Sequence, residues 1–307
     1  MVVDLRHMTK LRVGVMGLGR RWHKRYRLAL RTMRDRFGVR AVYDAVQKQA
    51  LREARRLGCT AAAGVIDLLE RKDIDAVLLL DAAWHGLWPL EAAIGFGKPV
   101  FCAVPLEADP GHAEAVCLKV ANAQLPVMPA LPYRLAPASV WLKQLLRDQL
   151  GASRLLLCEQ RGPKPGRIRA ALLDWCAFLF EASPATARIL ISEAGSPIEE
   201  LWADFGSGRA ARISRWSAPH LRPQVRLHVD AARGCAVADM PRRVRWTDAS
   251  GFHSYRAPDS KPNAGIMLER FHQAVVSGQP LQPSLEDVRS AWELLRAART
   301  HTASDAS

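Results

Sequence analysis

Apolar and polar positions alternate along the chain in two textures that change near residue 130. The first half opens with an apolar run, Leu11 to Met16, followed at once by Gly17-Leu18-Gly19 and a helical stretch from Arg20 to about Arg36. Val39 to Tyr43 reads as a second strand ending at Asp44, and Gln47 to Leu57 as a helix closed by Gly58. Ile66 to Arg71 forms a short helix. Ile74 to Leu80 is a continuous apolar run, the pattern of a strand buried on both faces. A helix at Leu87 to Gly95, a turn at Gly97-Lys98-Pro99, a strand at Val100 to Cys102, a helix at Ala113 to Ala123 and a strand at Val127 to Ala130 complete the series. Strands alternating with helices predict a parallel, doubly wound sheet.

Beyond that point helices flank a run of strands. Val140 to Leu150 and Ala171 to Phe180 have helical spacing, and Arg154 to Glu159 reads as a strand. Ile189 to Ser192, Leu201 to Phe205, Ala211 to Trp216, Val225 to Asp230 and Arg243 to Trp246 then follow as strands without intervening helices. The pattern predicts an α+β domain on an open antiparallel sheet. A final helix starts at the capping box Ser284 to Asp287 and turns Val288, Ala291, Trp292, Leu295 and Ala298 to one face. The expected organisation is a Rossmann domain over residues 1–130 and a substrate or oligomerisation domain over 131–307.

Composition narrows the function classes. No apolar run approaches the roughly 18 to 20 residues of a membrane helix, and the first residues carry no leader pattern, so a cytoplasmic location without membrane partner is expected. The six cysteines show no CxxC spacing, which argues against a zinc site or a disulfide framework, and no metal is expected. The formal charge of +14 would suit nucleic acid. However, nine of the 44 basic residues are lysine and 35 arginine, spread along the chain without a helix-turn-helix, zinc-finger or RNP motif. Nucleic acid is therefore not an expected partner; a small molecule is.

The glycine turn carries the first chemical signal. Gly17 and Gly19 fill the first two positions of G-x-G-x-x-G, where one makes the tight turn and the other lets a pyrophosphate approach the backbone. Asp44 stands where a carboxylate accepts the adenosine ribose hydroxyls, and its charge disfavours a 2′-phosphate, which argues for NAD over NADP. Arg20 and Arg21 crowd a helix start that is already positive, where an anion would relieve them. The third glycine is Trp22. Its indole must either swing outward with a displaced helix or take space that the cofactor would use.

In order and spacing these features resemble the Gfo/Idh/MocA oxidoreductases over nearly the whole chain. LRVGVMGLG looks like the family's first strand and turn, GVRAVYDA like its second strand with the acidic residue, DIDAVLLL like the strand before its nicotinamide-side loop, and GKPVFCAVPLEAD like G-K-x-V-x-x-E-K-P-x-A. LPYRLAPASVWLKQLL resembles the opening of the second domain, and MLERFHQAVVSGQPLQPSLEDVRSAWELLRAAR its close. The resemblance implies hydride transfer with NAD(P) to or from sugars, inositols and polyols, and sheets that pair into homo-oligomers. It also marks departures. The family lysine near the transferred hydride is Val104, and in D-x-x-x-H the acid remains as Asp174 while the histidine is Phe178. His85 lies one position from the family's loop histidine, and Cys102 reads as a packed strand residue. Trp22, Trp84, Trp88, Trp175 and Phe178 are candidates to line the mouth of the sheet, or to fill a disused cleft. Two readings stay open. One is a divergent oxidoreductase in which Gly17, Gly19, Arg20, Arg21 and Asp44 hold NAD and Asp174 serves the substrate. The other is a non-catalytic member that binds a nucleotide, sugar or protein through the altered cleft.

Overall fold

The computed structural model describes residues 10–81, 85–164, 166–191, 196–258, 263–279 and 281–304. The backbone divides into two compact units, one of Met1–Ala130 with Ala264–Glu286 and one of Leu131–Asn263 with Asp287–Ser307.

In the first unit, β1 (Leu11–Met16), β2 (Phe37–Tyr43), β3 (Thr60–Ala61), β4 (Ala76–Leu79), β5 (Val100–Cys102) and β6 (Val127–Pro129) form one sheet in the order β3-β2-β1-β4-β5-β6. Every pairing is parallel. Strand order reverses between β1 and β4, and such a switch point leaves a crevice outside the carboxyl ends of the strands. All four residues of β4 are buried, as its unbroken apolar run predicts. The connecting helices are α1 (Arg27–Thr32), α2 (Gln47–Leu57), α3 (Val65–Leu69), α4 (Trp88–Gly95) and α5 (Pro110–Ala123). Gly58 ends α2 at φ +66°, the left-handed stop that glycine takes without strain.

One expected element differs. The helix expected over 20–36 is wound as a wide π-turn across Trp22–Tyr26 before α1 continues to Thr32. The two rings of this turn, Trp22 and Tyr26, are both buried. Tyr26 meets Phe101 of β5 edge-on at 5.6 Å, and Phe101 meets Phe271 at 5.9 Å. Phe271 belongs to α8 (Asn263–Ser277), so a helix that follows the second sheet in sequence packs into the core of the first unit.

The second unit is built on eight strands: β7 (Ser153–Gly162), β8 (Thr186–Ile191), β9 (Ile198–Asp204), β10 (Ala210–Ser217), β11 (Gln224–Ala231), β12 (Gly234–Asp239), β13 (Arg243–Asp248) and β14 (Gly251–Arg256). Their order is β14-β13-β12-β11-β7-β10-β9-β8, antiparallel except for the β7/β10 pair. The sheet thus follows the expectation with one parallel pairing added. Leu156, Cys158, Leu201, Ile213, Leu227, Val229, Ala238 and Val244 are buried, while neighbours such as Leu157 and Phe252 are exposed, the alternation of a sheet with one open face. α6 (Pro137–Leu145), which runs on as a π-turn over Leu146–Leu150, α7 (Ala170–Phe180) and all but the start of α9 (Leu285–Ser304) complete this unit. Among the described residues no helix is long and apolar enough to cross a membrane.

Because Phe101 is fully buried between two rings, Phe101→Ala should lower stability by about 3–5 kcal/mol, and Phe271→Ala by a similar amount. Denaturant unfolding of the double variant should show a loss smaller than the sum, since the two rings share one contact; strict additivity would contradict this packing.

Candidate functional site

Gly17 leaves β1 with φ +84°, and a β-carbon on it would lie 2.3 Å from the carbonyl oxygen of Asp81. Only glycine permits this approach. The turn is fixed from the other side by β2: the Gly17 N–H donates to the Tyr43 carbonyl at 2.9 Å, and the Leu18 N–H to Asp44 Oδ2 at 2.7 Å. Asp44 Oδ1 accepts the Val46 N–H at 2.9 Å. An ionised carboxylate has roughly four acceptor directions, so two bonds orient Asp44 and leave capacity for hydroxyl donors. Gln49 donates to the Leu18 carbonyl and closes the loop.

The side of Gly19 faces Asp81. A β-carbon there would stand 2.7 Å from Asp81 Oδ2. Arg20 is exposed, whereas Arg21 is half-buried and donates to the Leu80 carbonyl at 3.2 Å. Gly17, Gly19, Arg21 and Asp44 are thus brought together at the carboxyl ends of β1, β2 and β4. Beside them Tyr43 Oη lies 3.0 Å from His85 Nε2, and the His85 ring 6.0 Å from that of Trp88.

Trp22 does not swing outward. Its indole is fully buried and donates from Nε1 to Glu53 Oε2 at 3.1 Å, which ties the turn's helix to α2. Glu53 is also fully buried, with Arg56 at 2.9 Å and Arg27 at 3.5 Å. Burial pushes this carboxyl up, but the Trp22 bond and the charges of Arg27, Arg56 and His23 outweigh it and hold the group below its usual range. A glutamate between Ala50 and Ala54 on the inward face of α2 was the available sequence signal.

On β5 and beyond, Cys102 is buried and its thiol donates to the Val104 carbonyl at 3.3 Å. Burial pushes this thiol up to about 12, so it is no nucleophile. Val104 is itself buried. Trp84 lies outside the described residues.

In the second unit Asp174 sits on α7, fully buried. Arg134 grips it with both prongs, Nε to Oδ2 at 2.8 Å and Nη2 to Oδ1 at 2.6 Å, while Nη1 lies 3.5 Å from Asp287. Burial drives the Asp174 carboxyl up to about 6, against the pull of Arg134 and with a push from Asp287. Arg134, in LPYRLAP, went unnoticed in the sequence because its partner is 40 residues away. One turn after Asp174, Phe178 takes the Lys143 ammonium over its ring at 3.9 Å and the Arg134 guanidinium at 5.5 Å. Trp175 is a core ring stacked on Tyr133 at 5.3 Å, and Trp88 is partly exposed.

The resemblance drawn from the sequence is borne out by a family match. Residues 11–131 match the Gfo/Idh/MocA model, described as an oxidoreductase family with an NAD-binding Rossmann fold. No curated protein matches the chain in sequence. Among solved structures, UDP-N-acetylglucosamine 3-dehydrogenase from Acidithiobacillus ferrooxidans is similar at 20% identity and a TM-score of 0.78, over 95% of this chain and 98% of that one. A putative myo-inositol dehydrogenase from Sinorhizobium meliloti gives 21% and 0.78, over 96% and 98%. A 3-ketoreductase from Actinomadura kijaniata, in complex with TDP-benzene and NADP, gives 20% and 0.80, over 95% and 98%. At such identities the likeness is one of fold.

Two outcomes follow from the buried acids. Trp22→Phe removes a donor from a buried carboxylate and should cost about 1–3 kcal/mol at pH 7. Glu53 is held below its unfolded value, so its contribution is present at neutral pH and is lost as pH falls through its folded value; the cost of the substitution should shrink there in acid denaturant titrations. Asp174 has the opposite sign. With its carboxyl raised from 3.8 to about 6, its stabilising contribution is complete below about pH 4 and is lost as pH rises through 6, a change on the order of 2–3 kcal/mol. Asp174→Asn should flatten that part of the stability profile; an unchanged slope between pH 4 and 7 would rule this assignment out.

Proposed function

We propose that the chain binds NAD(H) at the glycine turn and acts as an oxidoreductase on a small sugar-like or polyol substrate. The observation that carries this reading is Asp44, oriented by the Leu18 and Val46 N–H groups and with acceptor capacity to spare, beside a turn that only Gly17 allows. The family match over residues 11–131 supports the cofactor class. The activities named for the similar structures support the substrate class.

The residues fit a dinucleotide in three respects. Gly17 and Gly19 present bare backbone to a diphosphate, Arg20 and Arg21 supply positive charge, and Asp44 accepts ribose hydroxyls. A negative Asp44 favours NAD over NADP. Asp81 against Gly19 is the one poor fit. The bound nicotinamide supplies the hydride chemistry; the protein's part is to hold and orient. Asp174 contributes as a positioning residue through Arg134, because both of its oxygens are committed to that guanidinium. Neither Val104 nor Phe178 carries an exchangeable side-chain proton, so the proton that accompanies hydride transfer passes between the substrate and water.

A specific observation also favours a second reading, a ligand-binding protein without turnover. Val104 is buried, Phe178 is held under two cations and Asp174 is sealed from solvent, which leaves the three family positions without an accessible acid or base. Titration of the protein with NADH and NADPH, followed by tryptophan fluorescence and calorimetry, separates the possibilities. NADH should bind more tightly than NADPH, and Asp44→Ala should weaken NADH about tenfold or more, the loss of a charge-assisted bond. Absence of binding at millimolar cofactor sinks the oxidoreductase reading. Binding without turnover across polyols and nucleotide sugars supports the second.

A further inference from the structure

A ligand that carries a diphosphate meets an obstacle at the turn. Gly19 has no side chain, and the notch this leaves is where backbone and diphosphate approach each other in a G-x-G turn. Here the notch is filled from the neighbouring strand: Asp81, two residues beyond β4, brings Oδ2 to within 2.7 Å of where a Gly19 β-carbon would stand. The backbone of Asp81 is held close against the turn. Its own carbonyl and N–H lie 2.3 and 2.5 Å from the β-carbon position of Gly17, and its N–H donates to the Met16 carbonyl at 3.4 Å.

Nothing among the described residues neutralises this carboxylate by a bond. No hydrogen-bond or ion-pair partner for it is found there, and the nearest candidate cation, Arg21, donates to the Leu80 carbonyl. Asp44 differs, since it accepts from the Leu18 N–H of the glycine turn and the Val46 N–H of its own loop. The first turn of a helix leaves N–H groups unpaired and favours an anion. Asp81 places the protein's own anion beside Gly19 at the start of that helix, in the notch through which a diphosphate would approach.

We propose that Asp81 is a specificity-determining residue of the glycine turn, whose carboxylate occupies the notch opened by Gly19 and weakens every ligand that brings a diphosphate there. This rests on the cofactor reading given above. The repulsion acts between like charges at contact distance near the surface, large enough to matter by tenfold or more and subject to screening by salt. It acts on the diphosphate and not on adenosine, which Asp44 receives.

The test is calorimetric titration of the full chain and of Asp81→Asn with NADH, ADP-ribose and adenosine, at low salt and in 1 M salt. Asp81→Asn should tighten NADH and ADP-ribose about tenfold at low salt, the gap should narrow at high salt, and adenosine should bind both proteins alike. Asp81→Ser, which also vacates the space, provides a second variant, and thermal unfolding verifies that each is folded. Equal NADH affinity in wild type and both variants overturns the proposal and leaves the cofactor reading standing. Tightening of adenosine to the same degree also overturns it, as a general loosening of the turn. Binding by the variants alone supports the repulsion at Asp81 and ends the oxidoreductase reading of the wild type; absence of NADH binding to all three folded proteins overturns both it and the cofactor reading.

Discussion

Gly17 brings the end of β1 against the end of β4 so closely that the atoms of Asp81 stand where any other residue would need a β-carbon. The arrangement of the first unit around the switch point depends on that approach. It allows Leu80 and Asp81 to donate to the Met16 carbonyl, carries the β1–β4 register to its last residues, and turns the Leu18 N–H toward Asp44. A larger residue at position 17 would have to separate strands whose pairing sets the centre of the sheet, a strain far beyond the cost of a left-handed φ alone.

Around this contact, arginine serves as a builder more than as a source of field. Arg21 reaches the Leu80 carbonyl, Arg209 the Phe180 carbonyl at 3.0 Å, Arg215 those of Gly166 and Lys164 at 2.7 and 2.8 Å, and Arg299 that of Ile168 at 2.6 Å. Each guanidinium offers five donors in a rigid fork, which suits it to stitching loops whose carbonyls lack a strand partner. Arg134 and Arg56 use the same fork on buried acids. Several of the 35 arginines are thus engaged by backbone carbonyls and by Glu53 and Asp174.

Much of this architecture was readable from local pattern, and the unread parts share a cause. The helix at Gln47–Leu57 and the strand at Val100–Cys102 follow their periodicity to the residue, because burial on one or both faces wrote it. β12 and β14 were missed; each opens on a glycine that reads as part of a turn instead of the start of a strand. The π-turn at Trp22 was missed because the propensity of its residues fits an ordinary helix; the cause is the indole's partner on α2, 31 residues on. Of the candidate site, Gly17, Gly19 and Asp44 were visible since their roles depend on neighbours a strand away in a regular fold. Asp81, Arg134 and Glu53 act through contacts whose sequence separation hides them, although Asp81 stands in plain view at the end of the apolar run Ile74 to Leu80.

The two units hold their acidic groups in different ways. In the first, the carboxylate of Asp81 stands against the glycine turn at the point of closest approach. In the second, Arg134 holds Asp174 so fully that only displacement of the guanidinium would expose it. Restoring a proton donor at Phe178 would leave Lys143 and Arg134 facing a polar ring instead of an aromatic face, and so would disturb the pair that holds Asp174. The second unit's acid, ring and cations form one packed assembly, and a return to general acid–base chemistry there would require several of them to change together.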